Sequence, residues 1–445
     1  MCKYLEAFKI KILLVGNSAR AHIIAEKLSE SRHEPEIFAF MSARNPGIVK
    51  IAADYALGKL DDVSAIVAFA KKVGPDFAFI SPELPLSVGV VDALLDVGVP
   101  SVGPIKELAA LESSKSFVRE LMAEYGIVGG PRFVSFSTME GVAGFIDELS
   151  DTGYVLKPDG LTGGKGVKVS GEHFKSKDEA LAYCREVIGS HGRIVIEEKF
   201  VGEEFSLMSF VDGKTVVDLP PVQDHKRAYE GDTGSNTGGM GSYSGSRGLP
   251  FVTSKDLSDA HAITVAVNDA MYKKYGRYYK GVMYGGFMAT RDGVRLIEYN
   301  ARLGDPEAMN VLSVLRTDLV DISLAIINGT LSMLPVSFDK LATVCKYIVP
   351  DGYPDNPRSG DTVDVSGVSV GAKIYFASVD EDDDKLVMGK SRALAIVGIA
   401  DTLDEAEKIA EEGCRQVRGA VRHRTDIGTR ELVKKRIDHM RMIRG

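Results

Sequence analysis

Cysteine is scarce in this chain and scattered. The 445 residues hold four, at Cys2, Cys184, Cys345 and Cys414, with no metal-ligand spacing, so they read as reduced thiols of a cytosolic protein. No run is long and apolar enough to span a membrane, and the N-terminus lacks the apolar core of a secretory signal. Basic residues are not in excess: the formal net charge is -8 and the pI about 5.6. That balance excludes a general nucleic-acid or anionic-membrane binder, though not local basic pockets. Internal repeats and low-complexity segments are missing. So are Ser/His/Asp and Cys/His sets that would mark a covalent nucleophile.

What remains is ordinary globular composition, 44% hydrophobic and 26% charged, over a length that suggests about three domains. The first nine residues look like a short extension. Ile10–Gly16 then reads as a buried strand, with further strands at Glu36–Phe40 and Phe77–Ile80. Helical patterns at Asp61–Lys72 and Ser87–Val97 alternate with them, which predicts a parallel sheet with helices on both faces. Ligands bind such sheets at the carboxyl ends of strands, where G-N-S-A-R-A-H (Gly16–His22) and S-P-E-L-P-L (Ser81–Leu86) fall. The first loop lacks the second and third glycines of a dinucleotide fingerprint, so a dehydrogenase reading is weak. Taken alone it reads best as a plain strand-to-helix turn.

A second α/β unit follows the helical stretch Ser113–Tyr125. Within it, Tyr154–Val169 (Y-V-L-K-P-D-G-L-T-G-G-K-G-V-K-V) has the layout strand, glycine loop, strand. Gly160, Gly163, Gly164 and Gly166 let backbone N–H groups meet anionic oxygens closely, and Lys157 and Lys165 add charge at the two ends. The segment is not a P-loop, because Gly166 stands where a magnesium-binding Ser or Thr would follow the lysine. It fits a lid over nucleotide phosphates; a glycine-rich surface hairpin with solvated lysines fits equally well. Ile194–Ser206 reads as strand, hinge and strand, with Glu197 and Glu204 on either side of the turn at Gly202. Gln223–Ser244 has no apolar periodicity, holds five glycines and carries D-H-K-R, the mark of a functional loop.

Next come a helix over Lys255–Tyr275 and strands Val282–Thr290 and Val294–Asn300. Glu298 and Asn300 are two apart on a strand and share a face, a carboxylate and an amide oxygen suited to Mg²⁺. Arg302 continues that face as a planar cation able to grip carboxylate or phosphate. Helices from Asp305 to about Arg316 and over Asp318–Asn328 lead to a small α+β region. Its strands are expected at Ala342–Val349, Gly371–Ala377 and Ala393–Gly398, with a helix near Leu403–Val417. The acidic run Asp380–Asp384 reads as a solvated hairpin tip.

Taken in order, L-E-S-S-K-S-F, K-P-D-G-L-T-G-G-K-G-V, Q-D-H-K-R, D-T-G-S-N-T-G-G-M-G-S-Y-S, I-E-Y-N-A-R-L-G-D-P-E and T-D-I-G, together with S-P-E-L-P-L, make a chain that resembles the ATP-grasp ligases. Within them it resembles the phosphoribosylamine–glycine ligase family, over nearly its whole length. The resemblance implies an α/β fold in three parts: a doubly wound parallel-sheet domain (1–112), a central ATP-grasp domain with a glycine-rich lid (113–330, lid about 130–200) and a small C-terminal α+β domain (331–445). It implies ATP with Mg²⁺ or Mn²⁺, and glycine and 5-phosphoribosylamine as substrates. The product is glycinamide ribonucleotide for purine synthesis, made through glycyl phosphate. A cytoplasmic monomer is expected, with no nucleic-acid or membrane partner.

By the same resemblance Lys115, Lys157, Lys165, Gly163, Gly164 and Gly166 face ATP phosphates. Glu197, Glu198 and Phe200 read adenine, and Glu204 takes the ribose hydroxyls. Glu298 and Asn300 hold the metal, and Lys165, Arg302, Asp224 and Lys226 serve catalysis. Gly16, Asn17, Ser18, Ala19, Arg20, Glu83, Asp224, Arg302, Gly304 and Asp305 hold the substrates. One departure stands out: the family has G-N-G-G-R-E-H where this chain has Ser18, Ala19 and Ala21, in the loop that faces the amine substrate's phosphate. A ligase with a different acceptor, or a non-catalytic nucleotide-binding protein, are the competing readings.

Overall fold

A computed structural model describes residues 9–161 and 166–445. The N-terminal sheet has five parallel strands in the order Asp54–Leu57, Glu36–Met41, Lys11–Val15, Phe77–Ile80, Ser101–Val102. Lys11–Val15 lies at the centre, and the chain leaves it first to one side and later to the other. The loops after Val15 and Ile80 therefore splay apart into a crevice, the switch point where such sheets bind ligands. Ser18 caps the helix Ala19–Ser29, and Asp62 caps Val63–Val73, which ends at Gly74 in the left-handed region.

Two antiparallel four-stranded sheets form the middle of the chain. The first joins Phe133–Phe136, Ile194–Glu198, Tyr154–Pro158 and Lys168–Val169, flanked by helices Val142–Glu148 and Lys177–His191. Val155 pairs with Val169, so the two arms of the glycine hairpin are joined as expected. Lys199–Val201 leads to the second sheet, ordered Val216–Asp218, Gly202–Val211, Gly281–Thr290, Gly293–Asn300. The helix Ser254–Tyr275 backs it, started by a Thr253/Asp256 capping box and stopped at Gly276.

A six-stranded sheet corrects the reading of Gln223–Ser244 as a loop. Gln223–Asp224 and Gly241–Ser244 are strands of one six-stranded sheet with Ala342–Pro350, Leu394–Ala400, Lys373–Phe376 and Val421–Arg422, and Arg227–Tyr229 pairs with Thr233–Asn236 between them. These strands are too short and too rich in glycine to show a period of two. Other boundaries move as well. The helix expected over Ser87–Val97 is two, Glu83–Val88 and Val90–Asp96, divided at Gly89 with φ 90°. Lys106–Ser113 and Lys115–Glu124 are separated by Ser114, whose extended backbone ends one helix while its hydroxyl caps the next. The helix after Asp305 spans only Glu307–Ser313, and a C-terminal helix, Arg430–Arg444, was not foreseen. The acidic run is the turn of the hairpin Val379–Asp382/Lys385–Met388, with Asp383 and Asp384 in the left-handed region.

One apolar core runs from the N-terminal sheet into the six-stranded sheet. Ile12, Leu14 and Phe77 belong to the same cluster as Met208, Met309, Tyr347 and Val397. That continuity fixes the crevice of the first domain against the strand ends of the others.

Candidate active site

The strand Gly293–Asn300 is the floor of the site. It pairs with Gly281–Thr290 in a register that sets Gly286 opposite Glu298 and Phe287 opposite Leu296, so Ile297 is the extra residue of a bulge. Bulges beside active sites turn a side chain onto a new line. Here the residue turned is Glu298, in a wall shared by two hollows. One is lined by Ser114, Lys115, Arg119, Glu197 and Asn300, the other by Glu204, Ser206, Asp224, Lys226 and Tyr284. Burial would raise the affinity of Glu298 for protons, but Lys226, Lys157, Lys115 and Arg302 outweigh it and hold the carboxyl below its usual range. Lys226 Nζ stands 3.9 Å from Glu298 Oε1. The amide oxygen of Asn300 accepts from Arg302 Nη2 at 3.2 Å. An ionised carboxylate and an amide oxygen, two hard donors beside open space, fit a small divalent cation that shares its remaining positions with phosphates.

On the first hollow's side, Lys157, Glu197 and Arg119 form a buried ion triad, each 3% exposed. Arg119 grips Glu197 through Nε at 2.7 Å and Nη2 at 3.1 Å, and Lys157 Nζ lies 2.7 Å from the same carboxylate. Burial opposes the charge on Glu197, and the two cations win, holding it at about 2. Both Glu197 oxygens are therefore engaged by cations, where the resemblance implied a carboxylate facing adenine. Glu198 is likewise tied, its N–H to the Arg132 carbonyl and its Oε1 to the Arg132 N–H. Phe200 is half-buried in the connection that follows, and the Glu204 side chain is exposed. Lys115 Nζ donates to the Gly160 carbonyl at 2.9 Å. The Gly166 carbonyl accepts from Tyr183 at 2.7 Å. Gly163, Gly164 and Lys165 lie outside the described residues.

The second group of residues gathers where the N-terminal crevice meets Arg302. Glu83 bridges two arginines, 3.4 Å from Arg302 Nε and 3.6 Å from Arg20 Nη2. Burial would raise the Glu83 carboxyl, but Arg302 and Arg20 hold it at about 2. Arg302 also meets Glu112 at 2.8 Å, while Arg20 donates to the Leu303 carbonyl at 2.8 Å and to Ser81 Oγ at 3.2 Å. Arg20 is thus a buried strut with only part of its guanidinium open to a ligand. Gly16 has φ 133°, and a Cβ there would lie 3.0 Å from Pro82 and from Ser81. Ser18 is at φ -79° and Ala19 begins the helix, so neither needs glycine. The Ser18 oxygen accepts from the Ala21 N–H, which leaves its own proton free to donate. Asn17 faces Ser42 and Asn45.

Asp224 keeps one carboxylate oxygen, Oδ1, buried with no partner among the described residues. Burial first and Glu307 second push it well above the ordinary range, against Lys226 and Arg392. Asp305 accepts from Tyr347 at 2.5 Å and pairs with Arg392 at 3.3 Å. Gly304 packs so tightly that a Cβ would meet Glu307 Oε2 at 2.3 Å. Arg119, Glu112, Glu307, Tyr284 and Arg392 were not singled out in the sequence. Arg119 lies one helical turn beyond Lys115 and could have been found that way; Arg392 has no local signal at all.

Three family models cover the chain in sequence. They are the phosphoribosylglycinamide synthetase N domain over residues 10–112, the ATP-grasp (A) domain over 113–308 and the C domain over 343–430. The chain belongs to the phosphoribosylglycinamide synthetase family. A phosphoribosylamine–glycine ligase of Methanosarcina barkeri is 48% identical over 437 residues, 98% of this chain and 100% of that protein. One from Methanocaldococcus jannaschii is 47% identical over 445 residues, at 98% and 100%. The crystal structure of the Thermotoga maritima phosphoribosylamine–glycine ligase superposes with a TM-score of 0.80 at 29% identity, covering 94% of this chain and 100% of that one. At the level of fold alone, a Campylobacter jejuni biotin carboxylase matches with a TM-score of 0.73 at 14% identity, over 98% and 95%. Within the phosphoribosylglycinamide synthetase family the two hollows on either side of Glu298 fall in the ATP-grasp domain and at its border with the N domain. No described helix is long and apolar enough to cross a membrane.

Proposed function

We propose that the cleft around Glu298 is where this carbon–nitrogen ligase joins glycine to 5-phosphoribosylamine at the expense of ATP, with Mg²⁺ or Mn²⁺, in purine biosynthesis. Reaction and cofactor follow from family membership; the residue roles follow from the geometry of the cleft. One observation carries it. Glu298 is held ionised in a wall between two hollows, one bounded by Lys115 and Arg119, the other opening toward Asp224 and Lys226. Nucleotide phosphates on one side and acceptor on the other would share that wall.

Glu298 and Asn300 would hold the cation, which neutralises charge on the transferring phosphoryl when bound. Lys115 and Lys157 orient the phosphates, and the backbone of Glu198 and Phe200 with the Glu204 side chain take the nucleoside. Gly163, Gly164, Lys165 and Gly166 complete the phosphate cradle by resemblance. A glycine carboxylate oxygen attacks the γ-phosphorus as the bond to ADP breaks, giving glycyl phosphate. The amine nitrogen then attacks its acyl carbon and phosphate leaves. Arg302 steadies the carboxylate. Asp224, whose surroundings favour holding a proton, takes the one the amine nitrogen loses, with Lys226 alongside. Gly16–Arg20, Glu83, Gly304 and Asp305 frame the phosphoribosyl end. Splitting amide formation in two makes each step feasible without a protein nucleophile.

Phosphate release from ATP tests this. Release that requires both glycine and phosphoribosylamine is the expected result; release with another acceptor, or nucleotide binding without turnover, would overturn it. Glu298→Gln keeps shape and removes charge, so it should raise the Mg²⁺ requirement and depress turnover while the fold survives. We further place boundaries near residues 112 and 330 and treat the chain as a cytoplasmic monomer; sedimentation velocity at a single 48.0 kDa species checks the last.

A further inference from the structure

Ile297 is the bulged residue that precedes Glu298, and the pairing of its strand with Gly281–Thr290 skips it. Its carbonyl oxygen would be lost to the ladder, yet two cations claim it: Arg119 Nη2 at 2.6 Å and Lys157 Nζ at 3.0 Å. Arg119 reaches this point from the helix Lys115–Glu124, a separate element, and the same nitrogen also holds Glu197. A guanidinium can do both at once because its forked donors lie in one plane. The triad of Arg119, Lys157 and Glu197 carries one net positive charge, and Arg119 Nη1 is buried without a partner among the described residues. A purely structural ion pair needs neither the surplus charge nor the bond to a bulge carbonyl.

We propose that Arg119 is a positioning residue that pins the Ile297 bulge and thereby sets the line on which Glu298 meets the metal. Glu197 serves as its anchor, fixing the guanidinium against the carbonyl, and Lys157 shares the carbonyl from the opposite element. The proposal rests on the reading of Glu298 as a metal ligand. It adds that the ligand's aim depends on a side chain that acts on Glu298 through the Ile297 carbonyl rather than by coordinating the metal. Groups that orient ligands from behind commonly change metal affinity by about 10–100-fold when removed.

The test separates position from stability. Arg119→Lys can still pair with Glu197 but lacks the fork that reaches Ile297 as well; Arg119→Met does neither. Mn²⁺ binding in the presence of ADP is measured directly by electron paramagnetic resonance, beside thermal melts and Michaelis constants. The expected result for Arg119→Lys is a melt close to wild type with Mn²⁺ binding weakened about tenfold or more. KM for ATP rises with it, while KM for glycine stays within about twofold, because no glycine contact is involved. Arg119→Met should show the same metal defect and a lower melt. Arg119→Lys with wild-type Mn²⁺ binding would overturn the proposal, as would equal rises in every KM. Glu298→Gln serves as the control. If it too leaves Mn²⁺ binding unchanged, the metal reading itself is wrong; if it weakens binding and Arg119→Lys does not, only the role of Arg119 falls.

Discussion

Ser18 shows how a single residue can read as a loss and fold as a gain. From the sequence, Ser18 and Ala19 in place of glycines bring side chains into a loop where the family's backbone approaches an anion. In the structure the backbone at Ser18 is extended and its oxygen caps the first helix. Ser18→Ala should therefore cost about 1 kcal/mol of stability, and Ser18→Gly only a few tenths, in chemical denaturation. Both should raise KM for phosphoribosylamine and leave KM for ATP alone, because the hydroxyl proton is lost in each. Equal Michaelis constants in wild type and both variants would remove the loop from the acceptor site. Arg20 is different in kind. Its Nε and Nη1 serve Ser81 and the Leu303 carbonyl, so Arg20→Ala should lower the melting temperature as well as weaken the amine substrate. A change in KM with an unaltered melt would show that the strut is dispensable. The shared face of Glu298 and Asn300 was legible because alternation along a strand is a local property; Arg302 lies past the strand's end at Asn300. The engagement of Glu197 was not, since Arg119 lies 78 positions away in sequence.

Among the elements, the start of the helix Lys115–Glu124 is the place where the glycine hairpin is fastened. Asp159, in the K-P-D-G segment, supplies a carboxylate to that helix end from outside it. Its Oδ1 accepts from the Lys115 N–H at 2.7 Å, from the Ser116 N–H at 3.3 Å and from Ser114 Oγ at 3.0 Å, while Oδ2 accepts from Ser116 Oγ at 2.5 Å. A negative group at a helix N-terminus is favoured by the unpaired N–H groups and by the helix dipole. Asp159→Ala should therefore speed amide exchange at Lys115 and Ser116. It should cost about 1–2 kcal/mol locally, the range for hydrogen bonds to a charged group. Unchanged exchange at those two amides would mean that Ser114 alone caps the helix. The sequence marked both segments as nucleotide-facing but gave no sign that they touch, because capping rules look only a few residues ahead. The same limit hid the strands of Gln223–Ser244. The strand Gly241–Ser244, on which Gln223–Asp224 pairs, finds its other partner from Ala342 onward, about a hundred residues later.

Across the whole molecule, the N-terminal and C-terminal regions meet at His22. Its ring accepts the Phe376 N–H at Nδ1, 3.0 Å away, and stacks on Phe376 with Tyr375 at its edge. Asn45 holds the Phe376 carbonyl from the same side, and Gly47 packs so close that a Cβ would fall 1.9 Å from the ring. His22 is 7% exposed, and burial first and Lys50 second push its pKa down to about 4. A ring whose Nδ1 must accept cannot take up a proton there without losing the bond. In the unfolded chain an ordinary histidine titrates near about 6.5. Between those two values the unfolded chain binds more protons than the folded one, so stability rises with pH across that window. The contribution is complete above about pH 6.5, declines as pH falls, and is gone below about 4; its ceiling is about 3 kcal/mol. His22→Asn keeps an acceptor for the Phe376 N–H and cannot titrate. Urea unfolding followed at pH 7 and at pH 4.5 should show wild type losing about 2 kcal/mol more than His22→Asn over that interval. At pH 7 His22→Asn should be less stable by a constant offset, because the amide keeps the bond but loses the ring's packing on Phe376 and Tyr375. Parallel losses in the two proteins would mean that the contact between the N-terminal domain and the six-stranded sheet does not depend on a neutral His22.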